Sequence, residues 1–201
     1  MIKKKWETLE GVLDEVWVML KRGAANFRDP FHWPVLGTVG EDGPSLRTVI
    51  LRKFTLPARI LVCHTDSRAM KAREIANDNR ASWLFYHPKR QVQLRITGNA
   101  QLHTDDKFAD DMWAATRIPS RINYMTDQPP GTVVNRPSTG LSDFLLHKVP
   151  TLFESERGRK NFMSISCQID LMDWLILDVM GNRRARFYWK DNRLSAKWII
   201  P

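Results

Sequence analysis

The chain has 201 residues, 43% of them apolar and 26% charged, and its 31 Lys and Arg against 22 Asp and Glu leave a formal net charge of +9. A chain of this length buries about 70% of its unfolded surface in one core, and its two cysteines, Cys63 and Cys167, lie far apart in apolar settings, which excludes a disulfide scaffold and a C-x-x-C metal or redox motif. The start, Met1-Ile2-Lys3-Lys4-Lys5-Trp6-Glu7, lacks the apolar stretch of a signal peptide, and no run approaches the ~18 apolar residues of a membrane span, so a cytoplasmic protein with no membrane partner is expected.

An amphipathic helix is predicted first, with Leu9, Val12, Leu13, Val16, Trp17 and Leu20 on one face, acids early, Lys21 and Arg22 late, and Gly23 closing it. From Trp33 the pattern becomes a meander: strands at 34–39, 46–54 and 60–64, with turns at Gly40-Glu41-Asp42-Gly43 and near Pro57. A helix over 68–76 is followed by strands at 81–86 and 92–103, the latter holding Gly98 as a bulge or tight bend. A helix over 105–115, capped by Thr104 or Asp105, leads into an irregular stretch, 126–140, around Asp127-Gln128-Pro129-Pro130-Gly131. Helical turns are expected at 141–147 and 154–162. Strands return at 164–169, 174–178, 184–189 and 195–200, with hairpin turns at Gly181-Asn182 and Asp191-Asn192. The fold class is therefore mainly β, formally α+β: one domain over 1–201, a closed or split β-barrel with peripheral helices and the first 30 residues packed on it.

The cations are spread along the chain, with clusters at Lys3-Lys4-Lys5, Lys89-Arg90 and Arg183-Arg184-Ala185-Arg186, and no helix-turn-helix, zinc-finger or aromatic-basic RNA signature accompanies them. Nucleic acid is not the expected partner. One pair breaks a local rule: Arg68 and Lys71 fall three residues apart in the first turn of the predicted helix, where the positive end of the dipole disfavours cations. Backbone N–H groups plus two cations there form a phosphate cradle.

The order R-T-V-I-L-R (47–52), H-T-D-S-R-A-M-K-A-R-E-I (64–75) and W-L-F-Y-H-P-K-R-Q-V-Q-L-R-I-T-G (83–98) resembles the pyridoxamine 5'-phosphate oxidase-like branch of the FMN-binding split-barrel family. The resemblance covers about 33–105 well and continues weakly through Ser120-Arg121-Ile122, Gln128, Arg186-Phe187 and the closing Trp198-Ile199-Ile200-Pro201. It implies a flavin-binding split barrel and a homodimer whose ring sites are shared between subunits. It implies FMN contacts from Arg47, Thr48, Val49, Ile50 and Arg52 along the strand that lines the ring, and from His64, Thr65, Ser67, Arg68 and Lys71 at the phosphate. Gln91 would meet the pyrimidine edge, and Gln128 and Arg186 would reach the cofactor from later in the chain. Without that resemblance, Arg47 and Arg52 read as cations on an exposed strand face and Gln91 as a surface glutamine.

Departures bear on the substrate. Arg52 stands where the family usually has lysine, a planar fork in place of a point charge, and Pro129 follows Gln128 where a serine is usual. The oxidases' Arg-x-His pair has no counterpart in Gly181-Asn182-Arg183-Arg184-Ala185-Arg186, though a phosphorylated substrate could still meet Arg117, Arg121 or Arg184. The five histidines lack metal-ligand spacing and no Gly-rich dinucleotide fingerprint is present. Three functions fit: an FMN-dependent oxidoreductase on a small molecule of unassigned identity, a flavin-binding or flavin-carrier protein without turnover, and a basic nucleic-acid or regulatory module on a barrel scaffold.

Overall fold

The computed structural model describes residues 6–201; the Lys3-Lys4-Lys5 cluster and most of the N-terminal segment tested for a leader lie outside them. Helix α1 (Leu9–Ala25) starts at Thr8, whose hydroxyl accepts from the Gly11 N–H at 3.1 Å, and buries Val12, Val16, Met19 and Leu20. Gly23 does not end it. A Cβ there would stand 2.7 Å from Phe31 Cβ, so the glycine permits the segment carrying Phe31 to pack on the helix, which runs on to an Asn26 cap.

Among the described residues nine strands form one antiparallel sheet: β1 (Val35–Gly40), β2 (Gly43–Thr48), β3 (Lys53–Thr55), β4 (Ile60–Asp66), β5 (Arg80–His87), β6 (Val92–His103), β7 (Phe162–Ile176), β8 (Arg183–Lys190) and β9 (Arg193–Ile199). The order is β2-β1-β5-β6-β7-β4-β3, with β8 on β7 and β9 on β8. The fold class read from the sequence holds, and β7 explains the split. The two strands expected at 164–169 and 174–178 are one 15-residue strand. Its first half pairs with β4 and its second with β8, while β6 follows it along both halves. The register slips between Thr97 and Gly98, where the partner changes. A Cβ on Gly98 would lie 1.8 Å from the Gln168 carbonyl oxygen, so only glycine lets the strands close there.

Other boundaries move. The strand expected over 46–54 is cut at 49–52, where Val49 N–H bonds to Pro34 O, Leu51 N–H to His32 O and Arg52 N–H to Val62 O, carrying the chain from the β1 side to β4. Helix α2 (Met70–Asn77) starts two residues later than expected, and α3 (Lys107–Ala115) is capped by Asp106, whose carboxylate accepts from Ala109 N–H at 2.8 Å. The helical turn expected at 141–147 shrinks to a 3₁₀ turn at Asp143–Leu145, and 154–162 becomes a capping-box helix, α5 (Leu152–Ser155), after a short α4 (Ile118–Arg121), followed by a 3₁₀ run at Glu156–Asn161. The core is aromatic: Trp83, Trp174, Phe31, Phe85 and Phe187 are fully buried, and Cys63 and Cys167 sit inside as free thiols. Each such large side chain contributes about 1.5–3 kcal/mol by leaving water.

Candidate functional site

The site begins where β4 runs into α2. Leu61 and Cys63 face the core, Val62 is buried on the opposite face, and the strand delivers His64, Thr65 and Asp66 to the sheet's end opposite Ser164, Met163 and Phe162. Asp66 turns the chain: one carboxylate oxygen accepts from Arg68 N–H at 2.9 Å and from Arg68 Nε at 2.9 Å, the other from Arg68 Nη2 at 2.8 Å. Ser67 N–H is tied to Asn161 O at 2.8 Å. Helix α2 then follows from Ala69 at its N-cap, with no side chain capping its first N–H groups and no acid in its first turn.

Two corrections follow. Arg68 precedes the helix and does not share a face with Lys71, and its guanidinium is already paired with buried Asp66 and with Thr126 O, Thr126 Oγ1 and Asp127 O. The Asp66 hydrogen bond raises its pKa, and the fork staples the loop that carries Gln128 to the β4–α2 junction. Lys71 is different. Half-buried in the first turn, it reaches only Thr65 Oγ1, at 3.1 Å, and no carboxylate pairs with it among the described residues. Burial, and then the nearby Arg47 cation, push its pKa down. A desolvated ammonium beside helix N–H groups that no side chain caps is an arrangement whose chemistry suits an anion.

Nearby are buried polar atoms with no partner among the described residues: Arg52 Nε, both ring nitrogens of His64 and Ser164 Oγ. His64 packs edge-on against Phe162 with centroids 4.8 Å apart, and burial, with Arg52 close by, lowers its pKa to about 3, so the ring is neutral. Burial pushes Tyr124 and Cys63 up to about 12, which leaves both protonated and unreactive at neutral pH. Arg47 leans the other way. It pairs with Glu74 of α2 at 2.7 Å, donates to Ser45 Oγ at 2.5 Å and contacts Thr38 Oγ1, clamping α2 onto β1 and β2. Burial raises the Glu74 pKa, but hydrogen bonds from Thr38, Ser45 and Arg47 outweigh it and hold the carboxyl ionised. Thr48 is exposed on the edge strand, Val49 is buried and Ile50 half-buried where the chain crosses to β4.

One chain does not gather all the residues named from the sequence. Gln91 is exposed in the turn before β6 with φ 52°, its carbonyl accepting from Leu177 N–H at 2.9 Å. Arg186 faces Asp173 across β7 and β8, nine residues along β7 from Ser164, His64's opposite number, which is about 30 Å of strand. Arg121, offered from the sequence to a phosphorylated substrate, is 4% exposed and spent on Thr116 O, Trp113 O, Ser155 Oγ and Glu156, with its guanidinium over the Trp113 ring at 4.4 Å. It is structural. Sequence reading missed Ser164, Glu74 and Asp173; the signal for Asp173 was a carboxylate inside the apolar run Ile169-Asp170-Leu171-Met172-Asp173-Trp174, which a strand can bury only with cations beside it.

Residues 14–104 match the family model described as "Pyridoxamine 5'-phosphate oxidase, FMN-binding domain". Over that span, a little under half of its length, the chain is similar to the pyridoxamine 5'-phosphate oxidase-like family. Among curated members, a pyridoxine/pyridoxamine 5'-phosphate oxidase of Pelagibacter ubique is 27% identical over 124 residues, 62% of this chain and 58% of that one. Its counterpart in Rubrobacter xylanophilus is 37% identical over 84 residues, 41% and 37% of the two chains. The aligned span thus covers less than two thirds of these relatives' length. Two solved structures share the oxidase-like fold throughout. A pyridoxamine 5'-phosphate oxidase-related, FMN-binding protein of Nostoc punctiforme superposes with a TM-score of 0.74 at 20% identity, covering 93% of this chain and 96% of that one. PhzG of Burkholderia lata, solved with tetrahydrophenazine-1-carboxylic acid, gives 0.73 at 17% identity, covering 100% and 98%.

Proposed function

We propose that this protein binds FMN and acts as an FMN-dependent oxidoreductase on a small molecule. The observation that carries the reading is Lys71: a half-buried cation with no carboxylate paired to it among the described residues, at a helix start that no side chain caps, near the Arg52, His64 and Ser164 atoms that have no partner there. These residues fit the cofactor. Lys71, Thr65, Ser67 and the first α2 N–H groups would hold a phosphate monoester; Arg52 and the backbone of 48–50 would lie against a ring, and neutral His64 and Ser164 would offer hydrogen bonds without charge. Arg68 and Arg47 act one step back, fixing the Asp66 turn and the seat of α2. When bound, FMN supplies two-electron redox chemistry; the chain's part is to bind, orient and keep water from the ring.

Because Gln91 and Arg186 stand far along the sheet from His64, the same reading requires a homodimer in which one copy's 47–71 cluster meets its partner's second set of residues. A cytoplasmic setting belongs to the reading too. Titration of purified protein with FMN and with FAD tests it, with light scattering on the loaded protein: FMN is expected to bind more tightly, since the cradle takes one phosphate, and the loaded species to have twice the chain mass. Tighter binding of FAD, binding of neither, or a flavin-loaded monomer refutes it. Flavin binding without turnover of any reductant or oxidant would leave a flavin carrier.

A further inference from the structure

Glu15 interrupts the apolar face of α1. It stands among the buried Val12, Val16 and Met19 with 5% of its side chain exposed, where a carboxylate needs a cation beside it. Arg90 supplies one, its Nη1 donating to Glu15 Oε1 from a side chain that is 23% exposed. Arg90 lies 75 residues further along the chain, in the Pro88-Lys89-Arg90-Gln91 loop that joins β5 to β6 beyond the His87–Val92 pair. The loop closes on itself there: Arg90 N–H donates to His87 O at 3.1 Å and reaches His87 Nδ1 at 3.3 Å. An ion pair thus ties the first helix to the turn of a hairpin.

The residue after Arg90 is the strained one. Gln91 sits in the left-handed region at φ 52°, a conformation that glycine or asparagine takes more readily. Its carbonyl accepts from Leu177 N–H at 2.9 Å, next to the Val92–Ile176 pair where β6 meets the end of β7. The Gln91 backbone is therefore held from the sheet through its own carbonyl and from α1 through the guanidinium of its neighbour, while its side chain stays exposed. A hairpin turn has no use for that amide. A long polar side chain kept at a strained position, on a backbone fixed from two sides, marks a group whose placement matters. Its amide donates and accepts, which suits a ring edge that alternates C=O and N–H.

We infer that Glu15 is a positioning residue: through Arg90 it fixes the left-handed turn that presents the Gln91 amide to the pyrimidine edge of the flavin. As a statement about flavin this rests on the FMN reading above; as a statement about the turn it does not. The test variant is Glu15→Gln, which keeps the shape and removes the charge, so that Arg90 can turn to water. In flavin-free protein, amide hydrogen exchange followed by NMR should show Leu177 N–H exchanging about tenfold faster in E15Q than in wild type, with the β4–β7 ladder amides unchanged. Titration with FMN and with 3-methyl-FMN, which lacks the N3–H of the pyrimidine edge, then reads the amide itself. Wild type should prefer FMN by about tenfold, the worth of one hydrogen bond, and E15Q should shrink that preference to about threefold or less. A helix residue that served only stability would weaken both flavins alike and leave their ratio intact. An unaltered Leu177 exchange rate, no preference for FMN in wild type, or a preference that survives in E15Q would overturn the inference. If E15Q fails to fold, Glu15→Met with Arg90→Leu removes both charges together and carries the same measurements. If wild type binds neither flavin, the FMN reading falls, and Leu177 exchange alone decides whether Glu15 holds the turn.

Discussion

Lys71 and Arg68 look alike in sequence, two cations near a helix start, and the structure separates their roles sharply enough to test. In Lys71→Met the flavin-free protein loses a half-buried ammonium whose partner is one hydroxyl and whose pKa is lowered by burial and by Arg47. Its melting temperature should hold or rise. The FMN complex loses one charge-assisted contact, worth about 1.5–3 kcal/mol, so affinity should fall about tenfold to a hundredfold. Arg68→Ala strips the bidentate partner from Asp66, whose side chain is 5% exposed, and releases the carbonyls of Thr126 and Asp127. Unpairing a buried carboxylate costs about 3 kcal/mol, which for a chain of this size lowers the melting temperature by roughly 6–12 °C. Melts of both flavin-free variants and FMN titration by quenching of flavin fluorescence make the comparison. If K71M binds FMN normally, or if R68A keeps the wild-type melt and loses only flavin, the division between phosphate ligand and loop staple is wrong.

Other outcomes can be checked alongside. His64, with a folded pKa of about 3 against about 6.5 unfolded, contributes stability that is complete above pH 6.5 and is lost as pH falls toward 3, because the unfolded ring takes the proton first; His64→Phe should therefore gain about 1–2 kcal/mol on wild type between pH 7.5 and 5, and a pH-independent difference between the two melts counts against a neutral buried imidazole. Asp173→Asn leaves three arginines facing each other and should cost about 3 kcal/mol at pH 7; since the carboxyl's folded pKa of about 2 lies below its unfolded value, this wild-type advantage should vanish as pH drops from about 4 to 2, and a constant gap across that window contradicts the cluster's energetics. Gly98→Ala must push the Gln168 carbonyl aside and should lower the melting temperature by several degrees or prevent folding; a normal melt would mean the bulge relaxes freely. Finally, FMN-loaded protein given pyridoxine 5'-phosphate under oxygen should form little pyridoxal 5'-phosphate, since Arg183-Arg184 stand where the oxidases carry an Arg-x-His pair and a mismatched polar site loses orders of magnitude; brisk peroxide release would restore the ordinary oxidase assignment.

The sequence by itself determined the local elements whose signals are local. Alternating apolar residues marked β5 and β6, the three- and four-residue spacing marked α1, and an Asp191-Asn192 turn with φ values of 50° and 60° closes the β8–β9 hairpin as its residue types foretold. Gly98 was legible as a bend because a glycine inside a strand has few other uses. The sequence also carried Lys71, a cation at a helix start. What only the tertiary structure decided were questions of pairing. Whether residues 164–178 form one strand or two depends on β6 bridging both halves, a contact some 70 residues away in the chain. Whether Arg68, Arg47 and Arg121 were free for a ligand depended on Asp66, Glu74 and Glu156, and only the first of these lies nearby in sequence. A guanidinium reads the same on paper whether it awaits a phosphate or is already satisfied; burial beside a carboxylate makes the difference, and burial belongs to the whole fold.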